Sequence, residues 1–331
     1  MMIIFYILLA LLLLIAAFIA VKARQLKSGR ERVNREIAST QIQKLASLGS
    51  VKELSILPLV DFYAEDPDLK TEAGVSYLVS ADDTKILLDL GFNAKKEHPS
   101  PLVHNMEKLG VSTKDLEMIV ISHAHLDHVG GMAEQKSKTF SFSKEPVDVP
   151  EIPVYTPVPM TPSSKNPKPM PRPVDRPTIL KEGIASLGPI PRFLFLMGYT
   201  LEHSLAVNVA GKGIALIIGC GHQTIERIIE RAQALFDEPI YAIIGGLHYP
   251  VHGGRIKLGP INIQRIVGSD QPPWQGLSEK DVQSAITAIK RVSPEIVSLS
   301  PHDSSDWSIN QFRKAFGEKY IDLKVGREIR I

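Results

Sequence analysis

Between Ile121 and Gly131 the chain reads Ile-Ser-His-Ala-His-Leu-Asp-His-Val-Gly-Gly, which sets His123, His125, Asp127 and His128 within six residues. Imidazole and carboxylate are ligands that suit divalent zinc, manganese or iron. On an extended segment His123 and His125 point the same way, because side chains alternate with period two. If the chain then turns into a helix, Asp127 and His128 face the same cavity from another side. The spacing therefore predicts two half-sites close together, as two-metal hydrolysis requires. A surface cluster of polar residues beside a Gly-Gly turn is the competing reading. It is disfavoured by the preceding run, Leu116 to Ile121, which reads as a buried strand.

The elements that must deliver these ligands follow from periodicity and turn signals. Leu54 to Val60, Val75 to Ser80 and Lys85 to Leu90 read as short strands. Pro101 to Leu109 reads as a helix ended by Gly110, and Val129-Gly130-Gly131 as the opening of the next. Further along, Ser204 to Val209 and Ile214 to Ile218 form an expected hairpin that ends in Gly219-Cys220-Gly221-His222. A helix from Thr224 to Phe236 follows. The strand Ile240 to Ile244 ends in Gly245-Gly246-Leu247-His248. A helix from Ser278 to Val292 leads to the strand Ile296 to Leu299, which ends in Pro301-His302-Asp303. Strand, polar residue at its C-terminal end, then helix is a recurring unit, and sites in α/β folds gather where strands end. His222, His248 and His302 are thus expected to converge on the first motif. Each also has a bland reading, as a polar residue at a helix start or loop. His98, His104 and His252 read as surface or packing residues.

Between Lys144 and Pro177 there are eleven prolines in 34 residues. Such a segment cannot donate the backbone hydrogen bonds of a central sheet. Ile152 to Tyr155 is a candidate strand, and the rest reads as a lid near the site or a passive insertion.

The chain has 331 residues, 44% hydrophobic and 22% charged, with a net charge of +2. These values describe globular material with ample core and no electrostatic signature of nucleic-acid binding. Cys220 is the only cysteine, which rules out an internal disulfide and fits a reducing compartment.

The N-terminus departs from this pattern. Met1 to Val21 carries no charge and is long enough to span a bilayer as a helix. A cleaved signal peptide carries a positive n-region before a shorter apolar stretch, and a buried core helix is rarely so uniformly apolar. The expectation is a single-pass anchor over 1–21 and a basic, mostly helical juxtamembrane stalk over 22–50, with Ile37, Ile42, Leu45 and Leu48 as a weak apolar stripe. Lys22, Arg24, Lys27, Arg30, Arg32 and Arg35 follow the span. By the positive-inside rule they place the C-terminal part in the cytoplasm, at the cell membrane.

The His-Ala-His-Leu-Asp-His motif and the repeated layout resemble the metallo-β-lactamase fold superfamily. LLDLGFN, PLVHNMEKLGVSTKDLEMIVISHAHLDHVGGM, GCGHQTIERII, YAIIGGLH and SPHDSSDW resemble one branch of it. That branch is typified by the archaeal ribofuranosylaminobenzene 5′-phosphate synthase of methanopterin biosynthesis, also called 7,8-dihydropterin-6-methyl-transferring. The resemblance implies an α/β fold, an αββα sandwich over 51–331 interrupted by the insert at 144–177 and preceded by one transmembrane helix. It implies two divalent ions, zinc first, with manganese or iron as alternatives. His123, His125 and His222 are then ligands of the first site, Asp127 and His128 of the second, and His248 and His302 further ligands. Asp89 stands where an aspartate supports the metal-binding loop from behind. Many superfamily members place the third ligand where His203 stands, just before a strand. Cys220 occupies the position of a bridging aspartate, either as a thiolate ligand or as a small buried residue. Asp61 and Asn105 match branch positions and are expected to line the pocket. The chain departs from the branch at Gly221, where serine is usual, and at Asp303-Ser304-Ser305.

The resulting expectation is a membrane-anchored, metal-dependent hydrolase using a metal-bound hydroxide on an ester, phosphoester or lactone, with Asp127 accepting the proton. Its partners are a small-molecule substrate and, through the N-terminal helix, the membrane; no nucleic acid is expected. Arg255, Lys257 and Arg265 would hold a phosphate or form a solvated face. One alternative is a phosphoribosyl-transferring synthase like the branch's name-giving enzyme; another is a non-catalytic metal-binding membrane protein.

Overall fold

The computed structural model describes residues 2–259 and 261–331. Strands Leu54–Val60, Ser76–Ala81 and Thr84–Leu88 form an antiparallel meander. Met118–Val120 and Pro153–Thr156 extend it in parallel, and Ile329–Arg330 closes the opposite edge. The second sheet runs Thr178–Lys181, Ile184–Ser186, Leu205–Val209 and Gly213–Ile218 in antiparallel order. It then adds Ile240–Gly245 and Ile296–Leu299 in parallel.

Alternation along each strand sorts the core into layers. Ala215 and Ile217 face the first sheet, where they join Val207, Ile244, Tyr77, Val79, Ile86 and Val120. Leu216 and Ile218, one residue out of phase, face helices Ile225–Leu235, Glu279–Val292 and Asp306–Phe316 through Ile228, Val282, Ile289 and Phe312. On the far side, Leu87, Ile119 and Val154 pack against Leu102 and Met106 of helix Pro101–Lys108. The result is the expected helix–sheet–sheet–helix sandwich. Both parallel ladders end their strands on the same side, and the histidine-bearing loops follow those ends.

Two local expectations are corrected. The third strand stops at Leu88, because Asp89 adopts φ +59° and turns the chain out of the ladder. No helix follows Ile121 directly: residues 124–131 make turns, and the helix spans Met132–Ser137. The His128 amide donates to the His125 carbonyl at 3.0 Å. At Gly130, with φ +92°, a Cβ would sit 2.1 Å from the Ser141 carbonyl oxygen. Only glycine fits this turn.

The proline-rich stretch is structural. Pro153–Thr156 is a sheet strand, and Met170–Pro173 pairs with it at the edge. Pro171 and Pro173 need no donor on the outer side of an edge strand, which is where proline is tolerated.

The helix Met2–Ser39 is continuous. Its exposed first half is long and apolar enough to cross a membrane. The second half buries Leu26, Gly29 and Val33 against the hairpin formed by Ile190–Leu194 and Gly198–Glu202. The following extended segment docks Leu48 into the core, with Ile42 and Leu45 beside it.

Candidate metal centre

Three overlapping groups of ligand atoms lie within 4.8 Å of one another: His123, His125 and His222; Asp127, His128, Cys220 and His302; and Cys220, His222 and His248. The ring centroids of His123 and His128 are 4.1 Å apart, which joins the first group to the second. Cys220 is common to the second and third. The seven side chains expected from the sequence therefore meet at one end of the sandwich, and Cys220 lies among them.

Hydrogen bonds to the groups around the cluster fix which nitrogen faces inward in every ring but His125, whose Nδ1 lies 2.9 Å from His123 Nε2. His128 Nδ1 donates to Asp89 at 2.7 Å. His222 Nδ1 donates to the Gly268 carbonyl at 3.1 Å, and His248 Nε2 to the Gln264 carbonyl at 3.1 Å. Ser122 Oγ donates to Asp89 at 2.7 Å and so accepts from His123 Nδ1 at 3.0 Å. Ser300 Oγ likewise donates to Asp61 and accepts from His302 Nδ1, both at 2.6 Å. An N–H committed outward leaves a lone pair on the other nitrogen. The Nε2 atoms of His128, His222 and His302 are buried and have no hydrogen-bond partner among the described residues. Unpaired buried polar atoms are costly, and cations held in the group with His222 and in the group with His128 and His302 would satisfy all three. The donor set thus fits a metal.

Four buried carboxylates hold the loops that carry these rings. Asp89 accepts from the Ser122 amide at 2.7 Å, the supporting position expected of it. The other three were not all visible in the sequence. Glu202 accepts from the amides of Cys220, Gly221 and His222 at 2.9, 2.7 and 2.8 Å. Asp303 accepts from the His248 amide at 2.8 Å. Asp61 acts through Ser300 and also accepts from Tyr77 at 2.9 Å. Asp61 therefore lies behind the cluster. The one sequence signal for Glu202 and Asp303 is a carboxylate directly beside a histidine at a strand end.

Burial, and then the surrounding imidazoles, hold His123, His222 and His302 well below the usual histidine range and His125 at about 3. Burial holds His248 at about 4. Neutral imidazole is the ligating form. For His128 burial acts downward too, but Asp89 and Asp127 outweigh it and lift the ring to about 9, so a cation must displace that proton. Burial and then Asp303 push the Cys220 thiol well up, and a bound cation would have to draw off its proton. His125 and Asp127 are the partly exposed members of the cluster, so they form its open side.

Several expected site residues lie elsewhere. His203 accepts from Ser186 Oγ at 2.7 Å and donates to the Ile121 carbonyl at 2.9 Å; with both nitrogens engaged it ties the two sheets together and is not a ligand. Asn105 is spent on the Leu59 and Lys70 backbone, so it braces a loop and does not line a pocket. Arg255 pairs with Asp306 at 2.8 Å, stacks over Phe62 and donates to the Pro301 carbonyl, which leaves its guanidinium committed. The segment over the cluster is the short helix Ile263–Val267 with its cap Gly268, while the proline-rich stretch belongs to the sheet edge.

Comparison with known proteins agrees with this architecture. Over 329 aligned residues the chain is 25% identical to the 7,8-dihydropterin-6-methyl-4-(β-D-ribofuranosyl)-aminobenzene-5′-phosphate synthase of Methanocaldococcus jannaschii, covering 86% of this chain and 99% of that one. Tm1679, a metal-dependent hydrolase of the beta-lactamase superfamily, superposes with a TM-score of 0.57 at 19% identity over 84% of this chain and 99% of its own. The metallo-beta-lactamase fold protein YhfI from Bacillus subtilis gives 0.51 at 15% identity, over 83% and 99%. The sequence model of the Metallo-beta-lactamase superfamily matches residues 69–253, and the chain belongs to that superfamily.

Proposed function

We propose that this protein is a membrane-anchored, metal-dependent hydrolase of an ester, phosphoester or lactone. The observation that carries the reading is the set of three buried, unpartnered Nε2 atoms on His128, His222 and His302 beside a partly open face made by His125 and Asp127. One cation would be held by His123, His125 and His222. A second would be held by Asp127, His128 and His302 with Cys220, and His248 stands next to both groups. Such ions, zinc first among the candidates, lower the pKa of water and polarise an ester or phosphoryl oxygen.

The chain's own residues supply orientation and a proton acceptor. Asp89, the Asp61–Ser300 pair and the Gly268 and Gln264 carbonyls orient the rings, while Glu202 and Asp303 hold the loops that carry them, so little reorganisation accompanies reaction. Asp127, on the open side, is the carboxylate positioned to take the proton that an attacking water loses. The N-terminal helix would anchor the protein, and the basic residues after it favour a cytoplasmic catalytic domain. A reporter fused at the C-terminus tests that orientation, and an extracytoplasmic signal would contradict it.

A second reading has one observation behind it: the relative from Methanocaldococcus jannaschii, aligned over nearly its whole length, is named as a synthase. On this reading the chain makes a product of that class, a dihydropterin linked to a phosphorylated ribofuranosylaminobenzene. The experiment is a panel of phosphodiesters, phosphomonoesters and lactones assayed with wild type and His125→Ala after zinc or manganese loading. Metal-dependent turnover lost in His125→Ala supports the hydrolase. No turnover on any of them, together with condensation of a dihydropterin activated as a 6-methyl ester and 4-(β-D-ribofuranosyl)-aminobenzene-5′-phosphate supplied alongside, with release of the activating group, supports the synthase.

A further inference from the structure

The helix Met2–Ser39 does not meet the rest of the protein through a loose linker. Gly29 brings it so close to the hairpin that a Cβ would lie 2.2 Å from the Phe193 ring. Tyr199 donates to Glu36 at 2.7 Å, Arg227 donates to Asn34 at 3.0 Å, and Arg32 stacks over Tyr199 at 4.9 Å. Asp270 faces both Arg30 at 3.7 Å and Arg192 at 2.7 Å. The domain therefore sits at a fixed level along the helix axis.

That level can be read from helix geometry. The uncharged run Met2 to Val21 is about 30 Å long at a rise of about 1.5 Å per residue, the thickness of a bilayer's hydrocarbon core. Ala23, Leu26 and Lys27 come roughly 3 to 9 Å later, in the headgroup zone. They line one groove with Pro272 and Trp274. Trp274 is 62% exposed, more than any other large apolar side chain described beyond the N-terminal run. The Phe195 ring meets it edge-on at 6.3 Å, and the next residue, Leu196, is also exposed. Lys22, Arg24 and Lys27 fall in the same zone. Tryptophan flanked by basic residues is the composition of a membrane interface, where the ring is buried and its N–H stays wet.

We propose that Trp274, with Leu196 beside it, docks into the headgroup region of the bilayer crossed by the N-terminal helix. The inference rests on the anchor reading of that helix. It goes further in linking the membrane to the metal centre. Trp274 lies six residues after Gly268, whose carbonyl orients His222. The short helix that ends at Gly268 supplies the Gln264 carbonyl that orients His248, and the Ser269 carbonyl accepts from the Phe195 amide at 3.2 Å. The roof of the metal centre is thereby held against the bilayer at one end and against two of the histidines at the other.

The chain has two tryptophans, and Trp307→Phe leaves only Trp274. The full-length variant is reconstituted into phosphatidylcholine–phosphatidylglycerol vesicles, with or without acyl chains brominated near the headgroup, and separated by flotation. The protein is expected to float, and brominated lipid is expected to quench the Trp274 emission about twofold or more, as for an interfacial ring. Trp274→Phe, which keeps Trp307, is expected to float without quenching. Should Trp307→Phe be unstable, the wild type answers the same question through the part of its emission that lipid quenches. Flotation with an unquenched Trp274 overturns the docking and leaves the anchor standing. Failure to float overturns the anchor, and the docking with it.

Discussion

His128 donates its Nδ1–H to Asp89 Oδ2 at 2.7 Å, with both side chains fully buried. The same carboxylate receives the Ser122 amide and hydroxyl, so a single side chain orients His128 directly and His123 through Ser122 Oγ. One ring faces each of the two adjoining ligand groups. Asp89 therefore aligns both halves of the cluster, and it does so from a left-handed backbone position, φ +59°.

That geometry makes Asp89→Asn an informative change. Asparagine tolerates positive φ, so the turn survives, but its one carbonyl oxygen cannot accept all three hydrogen bonds. Loss of such support typically costs about 10- to 100-fold in metal affinity. Zinc competition against a chromophoric chelator is expected to show that loss at both sites. An unchanged affinity would mean that the loop is held by other contacts.

Ser300→Ala acts on one half of the cluster only. Ser300 Oγ passes the orientation of Asp61 to His302, and His302 belongs to the group with Asp127, His128 and Cys220. The group of His123, His125 and His222 has no such dependence. One zinc ion is expected to bind as in wild type while the second weakens by about 10-fold or more, read as a split in a calorimetric titration. Equal weakening of both would assign Ser300 a general structural role.

How far the sequence carried this picture follows from the range over which each feature is encoded. The ligands were legible because they sit at strand ends, where a local pattern of apolar run, glycine and histidine marks the position. The carboxylates behind them were not, since Glu202 and Asp303 act on amides 18 to 20 and 55 residues away, and a neighbouring histidine is the one local mark that sets them apart from surface acids. His203 also looked like a ligand from its place before a strand; only the Ser186 and Ile121 contacts separate it from one. The docked half of the N-terminal helix was hidden for a different reason. Its contact depends on the absence of a side chain at Gly29, which a hydrophobic pattern does not record.

Gly29→Ala tests that contact by setting two effects against each other. Alanine favours a helix over glycine by about 1 kcal/mol. Against this, its Cβ would lie 2.2 Å from Phe193 Cδ2 and 2.3 Å from Cγ, near the base of a ring that cannot swing clear easily. Overpacking costs about 1 to 3 kcal/mol, so the clash wins. A lower melting temperature and faster proteolysis near residues 40–50 are expected, with recovery in Gly29→Ala/Phe193→Ala. A more stable single variant would show that the helix is not packed this tightly.

His203 makes a pH-dependent contribution to stability whose sign is fixed by its shift. Burial lowers its pKa from 6.5 to about 4, outweighing the upward pull of the Ile121 hydrogen bond and of Asp89, and the neutral ring accepts from Ser186 while donating to Ile121. In the unfolded chain the ring takes up a proton below about pH 6.5, whereas the folded protein resists protonation until about pH 4. The unfolded state thus binds more protons between these limits, and stability falls as the pH drops through them. The full effect is up to about 3 kcal/mol. His203→Gln keeps a donor for the Ile121 carbonyl and cannot titrate. It is expected to be less stable than wild type at pH 7.5, where the lost Ser186 contact is felt, and to close that gap as the pH falls toward 4.5. Denaturant unfolding of the two proteins across this range measures the difference directly. A gap that stays constant with pH would mean that His203 is not the buried neutral group described.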